Sequence, residues 1–112
     1  MVLRTAKIES LLAFYRAFGL EFVQEQHGTG PIHFSAKLND TVIEIYPGTE
    51  GSAPPRQSGG ATMIGLRVES VDEVLAVLQS VGAQVVSPPK DSSWGRRAVV
   101  TDFDGRAIEI TQ

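Results

Sequence analysis

The sequence contains an internal repeat, and this feature restricts the possible folds more than any other. Residues 2–23, VLRTAKIESLLAFYRAFGLEFV, align with residues 65–86, GLRVESVDEVLAVLQSVGAQVV, with six identities in 22 positions. Conservative pairs such as Ile8 and Val71 fill much of the remainder. Because both segments also share an order of expected elements, the repeat predicts two similar modules in tandem.

Each copy begins with a short strand followed by a helix. In the second copy Ser70 is a favourable N-cap, and Glu73 stands three residues later, as in a capping box. Apolar residues then recur at helical spacing as far as Gly82, which is expected to end the helix. In the first copy residues 8–18 show the same spacing, and Gly19 follows them.

Three further strands follow each helix. We expect them at residues 20–26, 32–38 and 41–47 in the first copy, and at residues 83–87, 96–101 and 107–111 in the second. Asn39-Asp40 and the segment from Asp102 to Gly105 provide turn residues. The predicted fold is therefore α+β, a single domain of two βαβββ modules, residues 1–48 and 63–112. A glycine- and proline-rich linker, residues 49–62, joins them.

The last strand of each module places a carboxylate between two isoleucines, in VIEI and AIEI. Strand alternation directs the isoleucines to the helix side and Glu44 and Glu109 to the opposite face. The two acids are therefore equivalent positions of the repeat. The same face receives further residues able to bind a ligand, namely His33, Tyr46, Met63 and Arg67, with Arg4 as the repeat mate of Arg67.

Composition excludes several functional classes. The net charge of −3 argues against nucleic acid or an anionic membrane as partner. The absence of cysteine excludes disulfides, thiolate zinc sites and a cysteine nucleophile. The sequence has neither an apolar run of the roughly 18 residues that a membrane span needs nor a signal-peptide pattern, so a cytoplasmic location is expected.

The sequence resembles the vicinal oxygen chelate superfamily, which includes glyoxalase I, bleomycin-resistance proteins and extradiol dioxygenases. The segments that carry the resemblance are LLAFYRAFGLEF, TVIEIYPG, GLRVESVDEVLAVLQSVGAQVV and VVTDFDGRAIEI. It implies curled mixed sheets that form a cleft, and commonly a homodimer. It also implies a metal site with a histidine on the first strand and a glutamate on the last strand of each module.

Glu44 and Glu109 match the glutamate positions that the resemblance implies. The histidine position falls on Met63 in the second module, and in the first module it precedes Met1. Thioether sulfur is a poor ligand for hard divalent ions. We therefore expect no cofactor, with Glu44 and Glu109 as the ligands if a divalent metal does bind.

Other residues are candidates for binding or catalysis. Trp94 is either a packed rim residue or a platform for a planar or cationic ligand. Arg96 and Arg97 form either a solvated pair or a carboxylate-binding group. His33 and Glu109 are the candidates for acid–base catalysis, although a lone histidine on a strand is more often structural. His27 is predicted to be a loop residue.

Three functions agree with these features. The missing histidines favour a metal-free protein that binds a small organic molecule, similar to bleomycin-resistance proteins. The alternative is a metal-dependent lyase, isomerase or dioxygenase that uses Glu44 and Glu109. The third is a dimeric interaction module without a ligand. Arg4 and Arg67 are the arginines expected to neutralise the two glutamates.

Overall fold

A computed structural model describes residues 1–48 and 63–112, and the predicted linker lies outside these described residues. The first module contains β1 (Val2–Thr5), α1 (Ile8–Arg16), β2 (Val23–Glu25), β3 (His33–Leu38) and β4 (Thr41–Pro47). The second contains β5 (Met63–Arg67), α2 (Val71–Ser80), β6 (Gln84–Ser92), β7 (Gly95–Thr101) and β8 (Ala107–Thr111). The prediction of an α+β fold with two tandem βαβββ modules is confirmed.

Each module forms its own four-stranded mixed sheet. The strand order is β1-β4-β3-β2 in the first and β5-β8-β7-β6 in the second. The first and last strands pair in parallel, and the other pairs are antiparallel. Val2 pairs with Glu44, and Gly65 pairs with Glu109. Because Val2 and Gly65 are also aligned in the sequence repeat, the register places the two glutamates at equivalent positions.

The chain divides into two compact units, one for each module. In the first, α1 packs on β4; in the second, α2 packs on β6 and β7. The helix-facing isoleucines of β4 and β8 are buried, as alternation predicts. The core of the first module contains Leu3, Leu11, Leu12, Phe14, Tyr15, Leu20, Ala36, Ile43 and Ile45. The core of the second contains Leu66, Val71, Leu75, Leu78, Ala98, Val100, Ile108 and Ile110.

The helix ends follow local chemistry. The hydroxyl of Ser70 accepts a hydrogen bond from the backbone N–H of Glu73 at 3.3 Å, so the predicted N-cap is confirmed. Gly82 follows α2 with φ of 88°, a conformation suited to glycine. The first helix ends at Arg16, earlier than its apolar pattern predicts. Residues 17–19 instead form tighter i→i−3 hydrogen bonds, and Gly19 has φ of 81°.

Two strands differ from their predicted bounds by more than one residue. We expected the strand after α1 at residues 20–26, but β2 covers only Val23–Glu25. We expected the strand after α2 to end at Ser87, but β6 continues to Ser92 through Pro88-Pro89 with irregular register. Proline removes a backbone donor, and β6 tolerates this because it is the edge strand of its sheet.

The predicted turn between β7 and β8 is present. The carboxylate of Asp102 accepts hydrogen bonds from the backbone N–H groups of Asp104 and Arg106, and Gly105 has φ of 85°. Within residues 1–48 and 63–112, neither helix is long and apolar enough to cross a lipid bilayer.

Candidate functional site

Glu109 lies in the middle of β8 and forms an ion pair with Arg97 of β7. The guanidinium Nε–H of Arg97 donates to Oε1 of Glu109. Arg97 pairs with Thr111 and Val99 pairs with Glu109, so the arginine and the acid are diagonal neighbours on one sheet face. The two side chains keep 40% and 24% of their surface exposed, so the pair is open to an incoming molecule.

Trp94 lies at the tip of the β6–β7 hairpin. Ser92 pairs with Gly95, so Ser93 and Trp94 form a two-residue turn. The Ser92 hydroxyl accepts from the Trp94 backbone N–H at 3.1 Å and donates to the Gly95 carbonyl at 2.9 Å. The turn leaves Trp94 92% exposed. Tryptophan is strongly buried on average, so this exposure is unusual for a side chain without a binding role.

Trp94 and the ion pair border the same cavity. The cavity has a volume of about 370 Å³ and is lined by Ser92, Trp94, Gly95, Arg97, Glu109 and Thr111. A second hollow of about 460 Å³ shares Ser92 and Arg97 and extends along residues 87–91 of β6. Both volumes lie within the range of small-molecule sites. Arg97 therefore stands between two adjacent cavities of the second module.

Arg96 is engaged elsewhere. It makes two hydrogen bonds to the Asp72 carboxylate at 2.7 and 3.0 Å and one to Asp91 at 3.0 Å. The hydrogen bonds from Arg96 hold the pKa of Asp72 below its ordinary value, and Asp72 and Asp91 in turn raise the pKa of Arg96. Arg96 thus connects the start of α2 to the β6–β7 hairpin that carries Trp94.

Glu44 of the first module has a histidine as its neighbour. Its Oε1 lies 3.8 Å from Nε2 of His33, which is 1% exposed. The His33 ring stacks on Tyr46, with centroids 4.2 Å apart and planes 6° from parallel. The guanidinium carbon of Arg4 lies over the Tyr46 ring, 5.4 Å from its centroid, which is the geometry of a cation–π contact. These side chains therefore lie together on one face of the first module's sheet, as strand alternation predicts.

Two residues that the sequence did not indicate join this group. Oε2 of Glu25 lies 3.5 Å from Nε2 of His33 and 3.8 Å from Nε2 of His27. One ligand atom from each of these three residues lies within 4.8 Å of the others. His27 occupies the predicted loop, and its ring centroid is 5.0 Å from that of His33.

The structure thus brings the predicted site residues together in two groups, one in each module. His33, Glu44 and Tyr46 meet in the first, and Trp94 and Glu109 meet in the second. The arginine that neutralises Glu109 is Arg97 of β7, whereas the sequence suggested Arg67. That pairing depends on the β7–β8 register, for which the sequence carries no direct signal.

Met63 and Arg67 lie on β5, in register with Ala107 and Thr111 of β8. Both are exposed. Between them Gly65 pairs with Glu109, and a side chain added at Gly65 would meet no atom of residues 1–48 or 63–112 within 4 Å. The space beside Glu109 is therefore open on the β5 side as well. Binding roles for Met63 and Arg67 remain predictions.

Similarity to known proteins agrees with this architecture. Residues 1–110 match the family model described as the Glyoxalase/Bleomycin resistance protein/Dioxygenase superfamily. The chain belongs to this superfamily. None of the curated protein sequences matches the chain significantly.

Three solved structures illustrate the likeness. The fosfomycin resistance protein FosX from Mesorhizobium loti has a TM-score of 0.75 at 18% identity, over 99% of this chain and 86% of its own. TnmS3, an antibiotic-binding protein from Streptomyces sp. CB03234, has a TM-score of 0.67 at 25% identity, over 100% and 91%. A glyoxalase/bleomycin resistance protein/dioxygenase family enzyme from Burkholderia phytofirmans PsJN has a TM-score of 0.72 at 18% identity, over 98% and 93%.

The residues present do not fit the metal site that the resemblance implies. Met63 offers a thioether where a histidine is expected, and it is 46% exposed. Glu109, one of the two retained glutamates, is already neutralised by Arg97. Arg97 engages only Oε1 of Glu109 and leaves Oε2 with free lone pairs, but the positive charge of the guanidinium beside this carboxylate opposes the binding of a cation there.

Proposed function

We propose that this protein binds a small organic molecule without transforming it, at the second-module face formed by Trp94, Arg97 and Glu109. The observation that carries the proposal is Trp94, 92% exposed at the border of a 370 Å³ cavity that also contains the Arg97–Glu109 pair. A large aromatic surface next to paired charges is typical of a site that orients a ligand as well as burying it.

The lining favours a ligand with two different parts. The indole face of Trp94 suits a planar aromatic or cationic group. The Nε–H of Arg97 donates to Glu109. Its four Nη–H donors have no partner within the described residues. These donors suit a carboxylate or another anionic group. TnmS3, an antibiotic-binding protein with the same fold, supports a ligand of the antibiotic type.

A metal-dependent lyase, isomerase or dioxygenase is the second candidate. Its support is that Glu44 and Glu109 occupy equivalent register positions in the two sheets, together with the fold shared with the family enzyme from Burkholderia phytofirmans. An interaction module without a ligand is the third, because an exposed tryptophan is also frequent in protein interfaces. The binding protein is preferred because Met63 stands in place of a histidine and Arg97 neutralises Glu109.

The proposal includes a cytoplasmic homodimer. Relatives implied by the sequence resemblance are commonly dimers, and the exposed Trp94 and Met63 agree with a surface that a partner or ligand covers. Sedimentation velocity at tens of micromolar protein should give the mass of two chains. A monomer throughout that range would refute the dimer and leave the binding proposal standing.

The binding proposal is tested by screening small molecules against the protein with tryptophan emission as the signal, because Trp94 is the only tryptophan in the sequence. The panel should contain bleomycin, planar aromatic antibiotics and fosfomycin. Each compound that binds is then titrated calorimetrically into wild type, Trp94→Ala and Val77→Ala. Val77→Ala is the control, because it removes an exposed apolar side chain from α2. Affinity that falls only in Trp94→Ala supports the proposal. Equal affinity in all three refutes the site.

A further inference from the structure

The first module contains a cluster of metal-ligand side chains at the base of the loop that connects β2 and β3. Glu25 ends β2 and His33 begins β3, and the two residues form a cross-strand pair. Paired residues project from the same face of a sheet, so their side chains are neighbours. His27 follows in the loop, where Gln26 donates a hydrogen bond to the Gly30 carbonyl and the Gly30 N–H donates to the His27 carbonyl.

The hydrogen bonding of His33 determines which ring nitrogen is available. Nδ1 lies 3.2 Å from the backbone carbonyl oxygen of Pro31. A carbonyl oxygen only accepts, so Nδ1 carries the proton and donates it. In the neutral ring Nε2 then presents a lone pair, which is the arrangement of a metal-binding histidine whose other nitrogen is held by a backbone carbonyl.

The free nitrogen faces negative charge. His33 is 1% exposed, and within the described part of the chain Nε2 has no hydrogen-bond partner. Oε2 of Glu25 lies 3.5 Å from Nε2 of His33, and Oε1 of Glu44 lies 3.8 Å from it. A buried lone pair that faces two carboxylates is unfavourable unless a positive species lies between them. These separations exceed the roughly 3.2 Å limit of a good hydrogen bond, so a bridging proton fits poorly.

The separations suit a metal ion better. Zinc lies about 2.0–2.2 Å from nitrogen and oxygen ligands, so tetrahedral ligand atoms are about 3.3–3.5 Å apart. The distances from Oε2 of Glu25 to Nε2 of His33 and to Nε2 of His27, 3.5 and 3.8 Å, are close to this separation between ligand atoms. Two imidazoles with one or two carboxylates favour Zn²⁺, Ni²⁺ or Fe²⁺ over Mg²⁺ and Ca²⁺.

We propose that Glu25, His27 and His33, with Glu44 beside them, bind a divalent transition-metal ion such as Zn²⁺. Three of the four ligands lie on β2, β3 and their loop, outside the first and last strands to which the sequence resemblance assigns a metal. The ion ties the loop to the sheet, and Tyr46, stacked on His33, fixes the ring that binds it. This site is independent of the ligand site around Trp94, and it departs from the expectation of a metal-free protein.

The test is calorimetric titration of Zn²⁺ into tag-free, chelator-treated protein. We expect one ion per chain, with affinity reduced at least about tenfold in Glu25→Gln, His27→Gln and His33→Gln, because losing even an outer partner of a ligand costs that much. Glu9→Gln, an exposed acid on α1, is the matched control and should bind as wild type does. Mg²⁺ should not compete at equal concentration.

Imidazole ¹⁵N chemical shifts provide an independent readout. Zn²⁺ should move the His33 Nε2 signal while Nδ1 keeps its proton. His27, whose side chain is 75% exposed, tests the site even if His33→Gln does not fold. In the titrations, three results would overturn the proposal: no saturable binding of Zn²⁺, unchanged affinity in His27→Gln, or equal competition from Mg²⁺. In the chemical-shift experiment, the contradicting result is that both His33 nitrogens carry protons in the metal-free protein and that Zn²⁺ displaces neither proton.

Discussion

Arg97 of β7 donates a hydrogen bond to Glu109 of β8, and this pair explains how an acid is accommodated between two buried isoleucines of the last strand. The equivalent acid of the first module, Glu44, lies beside His33 instead. The repeat has therefore kept the carboxylate in both copies while changing its neighbour. A common role for Glu44 and Glu109 in one cleft stays a prediction, because they belong to different units.

Removing the Glu109 charge should alter ligand binding. Glu109→Gln keeps the size of the side chain but leaves Arg97 without its anionic partner. We expect ligand affinity to change by about 1–3 kcal/mol, the range for removing one partner of a buried hydrogen bond. Calorimetric titration with and without chelator measures this. An affinity equal to that of wild type would show that the ligand does not contact the pair.

Trp94→Ala should separate binding from stability. The side chain is 92% exposed, so its removal should leave the denaturation midpoint unchanged at protein concentrations below dimerisation. Loss of an aromatic contact should weaken ligand binding by about 1 kcal/mol, roughly fivefold in Kd. A lower midpoint with unchanged Kd would identify Trp94 as a structural residue.

Two glycines of the second module should respond oppositely to alanine. Gly95 has φ of 104°, and a Cβ there would lie 2.6 Å from the backbone oxygen of Gln112. Gly95→Ala should lower the free energy of unfolding by about 1–3 kcal/mol through backbone strain alone. The added methyl group of Gly65→Ala would contact none of the described residues, so this variant should stay within about 0.5 kcal/mol of wild type. Urea denaturation compares the two, and equal losses would contradict the described strand geometry.

The Asp72–Arg96 pair should make stability depend on pH in acid. Arg96 holds the pKa of Asp72 below its ordinary value of 3.8 in the folded protein. The unfolded chain therefore binds the proton more readily, and the stabilisation is complete above pH 3.8 and is lost as pH falls through the lower folded-state value. Asp72→Asn should be less stable than wild type near neutral pH, and the difference should disappear in strong acid. Because the Asp72–Arg96 pair is exposed, high salt should reduce the stability difference between wild type and Asp72→Asn.

The sequence predicted the fold well where local signals agree with tertiary structure. The bounds of β4 and β8 match the expected strands at residues 41–47 and 107–111, because alternation and turn residues both define them. The end of β6 was wrong, because Pro88-Pro89 normally interrupts a strand and only its edge position allows it to continue.

The site was predicted only in part. Glu109 and Trp94 were proposed as binding residues from strand alternation and from the chemistry of tryptophan, and both line the same cavity, while their binding roles stay predictions. The arginine that pairs with Glu109 was not identified, because the choice between Arg67 and Arg97 depends on register between strands. Glu25 and His27 were missed as partners of His33 for the same reason: the loop from residue 26 to 32 sets the β2–β3 pairing, and its length alone does not reveal the register.

The most direct test of the central claim is a ligand titration followed by Trp94 emission, performed on chelator-treated protein and repeated after adding Zn²⁺. A metal-free binding site in the second module predicts saturable binding of one ligand per chain, the same Kd in both conditions, and unaltered ligand recovered afterwards. Binding or conversion of the ligand that appears only with the metal would contradict this account and support the enzyme.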